Sequence, residues 1–204
     1  MAKRQKKELF DFIAPVYGIF FPMQLKMYDF VPGLLNKLNI RPPMSILDVG
    51  CGTGALAMVL AKSHYRVTAI DPAKEMLKVA LWKTKGENIR YVHMTKMGIL
   101  PFKDHSFDLV ISSYVLHGMK KEQRRILYEE MRRVSRRKII IHDYNAERAL
   151  LTSVVEYMEK GDYFNFIQVA KEEMEEIFGQ VKIIRTGKRA CWYIMDVEGA
   201  RPIA

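Results

Sequence analysis

Cysteine is nearly absent from this sequence. Only Cys51 and Cys191 occur in 204 residues, which excludes a disulfide scaffold and leaves no paired spacing for a zinc ribbon. The expected setting is the reduced cytoplasm. Long apolar runs are also missing, and nothing approaches an uninterrupted membrane span. The basic start MAKRQKKELFDF is no clean signal peptide, because Asp11, Pro15 and Pro22 interrupt the aromatic stretch that follows. No internal repeat occurs. Hydrophobic residues at 49% and charged residues at 27% exclude disorder, collagen and a coiled coil as the main organisation. The length argues for one domain with at most a small accessory element. Acidic residues are the minority, 23 against 33 Lys and Arg, for a formal charge of +10. That excess permits contact with nucleic acid or an anionic membrane without establishing either.

What is present alternates between strand and helix signals. SILDV at 45–49 runs into Gly50, Gly52 and Gly54, and an apolar helix begins with ALAMVLA at 55–61. RVTAID at 66–71 reads as a second strand, followed by the helical PAKEMLKVALWK with Pro72 near its start. Further strands are expected at 89–93, 107–112 and 138–142, with a basic helix at 121–134 between the last two. VKIIRTG and KRACWYIMDV read as two strands joined around Gly187.

Glycines at a strand-to-helix turn allow unusual dihedrals and a close approach of a ligand to the backbone. Their spacing here is GxGxG, not the GxGxxG dinucleotide fingerprint. Asp48 sets a carboxylate beside the loop, awkward for a pyrophosphate and suited to a cation. Asp71, at the end of the next strand, has the geometry either to accept hydrogen bonds from ribose hydroxyls or to cap the helix after Pro72. Asp48 has the corresponding alternative of bonding a nearby amide.

The run ILDVGCGTG at 46–54 closely resembles motif I of the class I S-adenosylmethionine-dependent methyltransferases, and the resemblance extends over nearly all of the chain after Ile40. It implies an α/β, Rossmann-like fold: a mostly parallel seven-stranded sheet with an antiparallel C-terminal edge hairpin and helices on both faces. It also implies S-adenosylmethionine as cofactor and S-adenosylhomocysteine as product. The cofactor site it suggests comprises Tyr17, Asp48, Gly50, Cys51, Gly52, Thr53, Gly54, Asp71, Pro72, Met76, Met97 and Ser112. Asp48 would face the cationic methionyl end. Cys51 reads as a small buried loop residue rather than a reactive thiol, and Met76 either contacts the ribose or adenine or packs in the helix core. Related small-molecule enzymes often carry an acid five positions before the proline of an LPF sequence. Here Leu100, Pro101 and Phe102 are present, but Lys96 holds that place, leaving backbone groups near Met97 or a shifted residue for the adenine, with Lys96 itself alternatively a solvent-facing charge.

FDLVISSYVLHGM at 107–119 resembles the fourth-strand region of the same family and places Ser112, Tyr114 and His117 at or beyond its C-terminal end. His117 is the candidate acceptor-orienting group or base, or else a structural histidine. His142 and Asp143 end the next strand, either to bind an acceptor or to cap and pack. Tyr17, Tyr114 and Tyr144 offer hydroxyls or packing rings. His93 has no evident reactive partner, and no spacing specifies a metal.

The opening FDFIAP with Tyr17 resembles quinone and lipid C- or O-methyltransferases, although Gly18 replaces their usual aspartate. Residues 1–43 are expected as a helical lid or cap, with two pieces broken near Pro15 and Pro22, and 44–204 as the methyltransferase domain, within which 147–178 is a substrate-side helical region. The segment 120–138 holds nine basic and three acidic residues. Ile126, Leu127, Met131 and Val134 are expected inward, and Arg124, Arg125, Arg132, Arg133, Arg136 and Arg137 outward. Such a face permits peripheral lipid or RNA contact; no obligate protein partner is evident. The reading is direct methylation of a small apolar or aromatic acceptor. The alternatives are an RNA methyltransferase, against which the sequence carries SSYV where an NPPY-like segment would stand, and an inactive methyltransferase-like binding protein.

Overall fold

In a computed structural model of the chain, residues 18–96, 98–145 and 163–197 are described. It divides into two compact units, Met1–Met97 and Gly98–Ala204.

The first unit runs α1 (Phe21–Tyr28), α2 (Val31–Lys37), β1 (Ser45–Val49), α3 (Ala55–Lys62), β2 (Arg66–Asp71), α4 (Lys74–Lys83) and β3 (Ile89–His93). Its strands lie in the order β3-β2-β1, all parallel. Buried continuous runs such as ILDV and VTAID suit a parallel sheet covered on both faces. The register pairs Val49 with Ile70, so β1 and β2 end side by side and their loops emerge together. The expected break near Pro22 is present: Gly18 and Ile19 are helical, Phe20 is a turn, and α1 starts anew at Phe21. Pro22 sits in the first turn of α1, where no intrahelical N–H is needed, and Pro32 does the same for α2. The break expected near Pro15 lies outside the described residues.

The second unit runs β4 (Phe107–Ser113), a 3₁₀ turn (Leu116–Gly118), α5 (Lys121–Val134), β5 (Ser135–Tyr144), α6 (Tyr163–Phe178), β6 (Val181–Arg185) and β7 (Ala190–Asp196). The order is β4-β5-β7-β6, with β4 parallel to β5 and β7 antiparallel to both its neighbours. The α/β reading thus holds: seven mostly parallel strands, with an antiparallel pair at the C-terminal edge. β5 is longer than its expected 138–142, because the chain passes from α5 straight into the strand at Ser135. Of the expected helical region 147–178, the portion from Tyr163 onward is helix, and 147–162 lies outside the described residues.

The basic helix departs from its expected sidedness. Arg124 is fully buried, donating to both carboxylate oxygens of Glu173 at 2.8 and 2.7 Å and to the Met119 carbonyl. An arginine can occupy an inward position when a bidentate carboxylate and a carbonyl satisfy its fork. Ile126 is instead 48% exposed. Arg133 pins the 100–104 loop through the carbonyls of Leu100 and Phe102 and the Asp104 carboxylate, and Arg136 and Arg137 face Asp108.

Candidate functional site

The loop after β1 is held by its own backbone. Gly50 N–H and Cys51 N–H both donate to the Ile70 carbonyl, at 2.8 and 3.2 Å, and Gly54 N–H donates to Cys51 O at 2.9 Å. Asp71 completes the clamp: one carboxylate oxygen accepts Gly52 N–H and the other Ala73 N–H, each at 2.8 Å. Four loop amides are therefore committed within the unit, which leaves little of the anion-binding concavity that a pyrophosphate needs. Gly50, Gly52 and Gly54 all adopt positive φ. A Cβ on Gly52 would meet nothing within 4 Å, whereas one on Gly54 would fall onto the Tyr91 hydroxyl. Gly52 thus borders open space and Gly54 a packed wall. Thr53 donates to Gln24 Oε1 at 2.6 Å, tying α1 to the loop.

Asp48 is 1% exposed at the end of β1, and its Oδ2 has no hydrogen-bond partner. Burial, reinforced by the charge of Asp71, pushes its carboxyl up to about 8. A buried oxygen with no donor costs free energy unless something else supplies one. Burial also drives the Cys51 thiol well above its ordinary value, in keeping with an inert loop residue. Asp71 serves the capping alternative in its bonds to the Gly52 and Ala73 amides. Pro72 precedes α4, and its carbonyl faces His93 Nε2 at 3.1 Å, the partner that sequence did not provide. Met76 is buried against Ala73 and Val79. Lys96 is exposed. Tyr17 and Met97 lie outside the described residues.

A second polar cluster forms in the other unit, at the C-terminal ends of β4 and β5. Parallel register sets Ser113 beside His142, and Ser113 Oγ lies 3.0 Å from His142 Nδ1. His142 Nε2 is 3.2 Å from Thr186 Oγ1, and burial holds this imidazole down at about 4. A neutral, doubly bonded ring orients its neighbours rather than taking protons near neutrality. Ser112 is fully buried within β4. Tyr114 takes a left-handed φ of 55° and packs at a tilt on His142 and edge-on against Tyr144, at 4.8 and 5.3 Å between centroids. Burial raises its phenol to about 12, so it remains a neutral donor.

His117 lies in the 3₁₀ turn with Nδ1 2.7 Å from Asp143 Oδ1. The other Asp143 oxygen accepts the backbone N–H groups of Leu116 and His117, at 3.0 and 3.3 Å. With Nδ1–H donating to Asp143, the imidazole is the tautomer whose Nε2 carries the basic lone pair. The His117–Asp143 pairing is not legible in sequence, although both residues are. Its signal is an acid ending β5 and a histidine just after β4, in strands that the fold makes parallel neighbours. No group of three His, Cys, Asp or Glu able to hold a metal occurs among the described residues.

Residues 46–138 match the model of a family described as methyltransferase domain. A demethylmenaquinone methyltransferase of Staphylococcus aureus (strain MRSA252) is 38% identical over 104 residues, covering 46% of this chain and 43% of that protein. The chain therefore spans less than half the length of this curated relative. A SAM-dependent methyltransferase from Aquifex aeolicus shares the fold with a TM-score of 0.63 at 20% identity, over 81% of this chain and 88% of that one. Magnesium protoporphyrin IX methyltransferase from Synechocystis PCC 6803, with bound SAH, does so with a TM-score of 0.64 at 19% identity, over 84% and 82%.

Proposed function

We propose that the chain is a class I S-adenosylmethionine-dependent methyltransferase domain that transfers the methyl group directly to a small apolar or aromatic acceptor, a reading supported by the methyltransferase-domain match over residues 46–138. The observation that carries this reading is the buried Asp48, whose Oδ2 has no partner, at the end of the strand that leads into the glycine loop. The bound cofactor supplies an electrophilic methyl carbon, so the protein needs no covalent nucleophile.

Asp48 would face the ammonium of the methionyl end, whose positive charge would lower the carboxyl pKa so that its proton leaves to solvent and the carboxylate is restored. Asp71 holds the glycine loop in shape through the Gly52 amide and, at the end of β2, is the carboxylate that would meet the ribose hydroxyls. Thr53, bonded to Gln24, fixes the loop against α1. His117 receives a proton from, or orients, the acceptor through Nε2, and Asp143 fixes the tautomer that makes this available. Tyr114 and His142 shape and polarise the acceptor side without changing charge near neutrality. The aromatic character of the acceptor is supported by the Tyr114, Tyr144 and His117 rings, which contact one another edge-on. The Staphylococcus relative, by its name, acts on a quinone.

The test is transfer of labelled methyl from S-adenosylmethionine into separated metabolite, lipid, RNA and protein fractions, with S-adenosylhomocysteine inhibition as control. Inhibitable label in metabolites or lipids is expected. Label concentrated in RNA or protein overturns the acceptor class, and absence of transfer in every fraction overturns the enzyme reading in favour of a binding protein.

A further inference from the structure

Large apolar side chains that reach solvent are concentrated on one part of the first unit. Six of the nine among the described residues lie on or beside α1 and α4: Ile19, Phe20, Met23, Met27, Leu81 and Trp82. Trp82 is 70% exposed and Ile19 73%. Gly18, just ahead of α1, approaches α4: an added Cβ there would come within 3.2 Å of Val79 and 3.8 Å of Lys83. Lys83 joins aromatic rings of the two helices, with its ammonium 4.5 Å from the Trp82 centroid and 5.8 Å from that of Phe21. The patch is therefore one surface rather than scattered exposure, and it is of the kind that marks an interaction site.

Charge decides the occupant. Across residues 19–29 and 74–85 the sequence places Lys26, Lys74, Lys78, Lys83 and Lys85 against Asp29 and Glu75. Glu75 is already paired with Lys78 at 2.7 Å. A protein partner would need an apolar core ringed by acids. An anionic bilayer supplies both features everywhere, with acyl chains below a negative headgroup layer. An exposed tryptophan beside a lysine is also the side-chain pair that settles at such a boundary. We propose that the α1–α4 face docks on an anionic lipid surface, inserting Trp82 and the methionines of α1 while the lysines meet the headgroups.

The chain holds its own reporter. Of its two tryptophans, Trp192 is fully buried and Trp82 exposed, so a change in emission on adding lipid comes from Trp82. Vesicles of phosphatidylcholine with and without phosphatidylglycerol are titrated into the full-length protein, following emission and cosedimentation. The expected result is a blue shift and protection from acrylamide only with the anionic vesicles. Met23→Glu with Leu81→Glu should weaken binding more than about tenfold, with an unchanged melting temperature. Trp82→Phe should retain binding and lose the shift.

Failure to bind anionic vesicles overturns the proposal. So does binding that the two glutamates leave unchanged, which would locate the contact on basic surface elsewhere. Concentration-dependent dimerisation without lipid, abolished by the same substitutions, would assign the patch to a second copy instead. The assay involves no turnover, so its outcome is independent of the methyltransferase reading.

Discussion

His117 Nδ1 and Asp143 Oδ1 stand 2.7 Å apart, while the other oxygen of the same carboxylate holds the backbone N–H of His117. One acid thus fixes both the turn that carries the imidazole and the ring itself. If His117 acts on the acceptor, Asp143→Asn should lower kcat by at least about a hundredfold, by favouring the wrong tautomer, and leave S-adenosylhomocysteine affinity within about twofold. His117→Phe should show the same split. A pH–rate profile separates a base from a prop: loss of the acidic limb in His117→Gln marks proton transfer, and an unchanged profile shape with lower amplitude marks structure alone.

Asp48 should trade stability for binding. Its carboxyl is held at about 8 in the folded chain against an ordinary 3.8. Between those values the folded state keeps a proton that the unfolded state has lost, so this group makes stability fall as pH rises from about 4 to 8. Asp48→Asn removes that slope. Its melting temperature should exceed that of the parent at pH 8 and approach it at pH 4, while S-adenosylhomocysteine affinity drops by roughly tenfold or more from the lost charge-assisted bond. Calorimetry in buffers of different ionisation enthalpy should also record proton release when the parent binds ligand at pH 7, and none for Asp48→Asn. A less stable Asn variant at pH 8 would show that the oxygen is satisfied in solution.

The extent to which this was readable in advance follows from the range of the interactions involved. β1, β2 and β3 fall at their expected positions because each is a short apolar run ended by a glycine, proline or polar turn, a local signal. Asp48 and Asp71 were identified because both sit at strand ends next to the loop. Arg124 was misplaced because its partner Glu173 is 49 positions away, and residue type alone sends an arginine outward. The break at Phe20 is legible because Pro22 cannot continue a preceding helix yet suits the first turn of a new one. Lys96 occupies the adenine-contact position of the resembled family, and its exposure accounts for the charge without assigning it a contact.

His142 governs stability on the acid side. Burial lowers its imidazole to about 4 from an ordinary 6.5, so between those values the unfolded chain binds a proton that the folded one refuses. Its contribution is complete above about 6.5 and is lost as pH falls toward 4, the reverse of the Asp48 trend. His142→Gln, which keeps hydrogen-bonding capacity toward Ser113 and Thr186 but does not titrate, should flatten the pH 4–6.5 limb of the urea-midpoint curve. A limb that stays equally steep would assign it to other groups.

Gly54 is the position of the loop where a side chain is least tolerable. Its φ of 81° lies in the left-handed region, and a Cβ would fall on the Tyr91 hydroxyl and 3.1 Å from Ala80 Cβ. Two penalties are superposed, a dihedral cost of about 1–2 kcal/mol and a steric one that depends on whether Tyr91 can yield. That hydroxyl is bonded to Thr84 Oγ1 at 3.0 Å, so moving it breaks a second contact. Gly54→Ala should therefore lower the unfolding free energy by about 2–4 kcal/mol, and the loss should shrink by about 1 kcal/mol or more in a Tyr91→Phe background, where the clashing oxygen is gone. Urea unfolding of the four proteins in this double-mutant cycle measures the coupling. Equal losses in both backgrounds would assign the cost to the dihedral and the Ala80 contact, and would show that the Tyr91 hydroxyl yields without penalty.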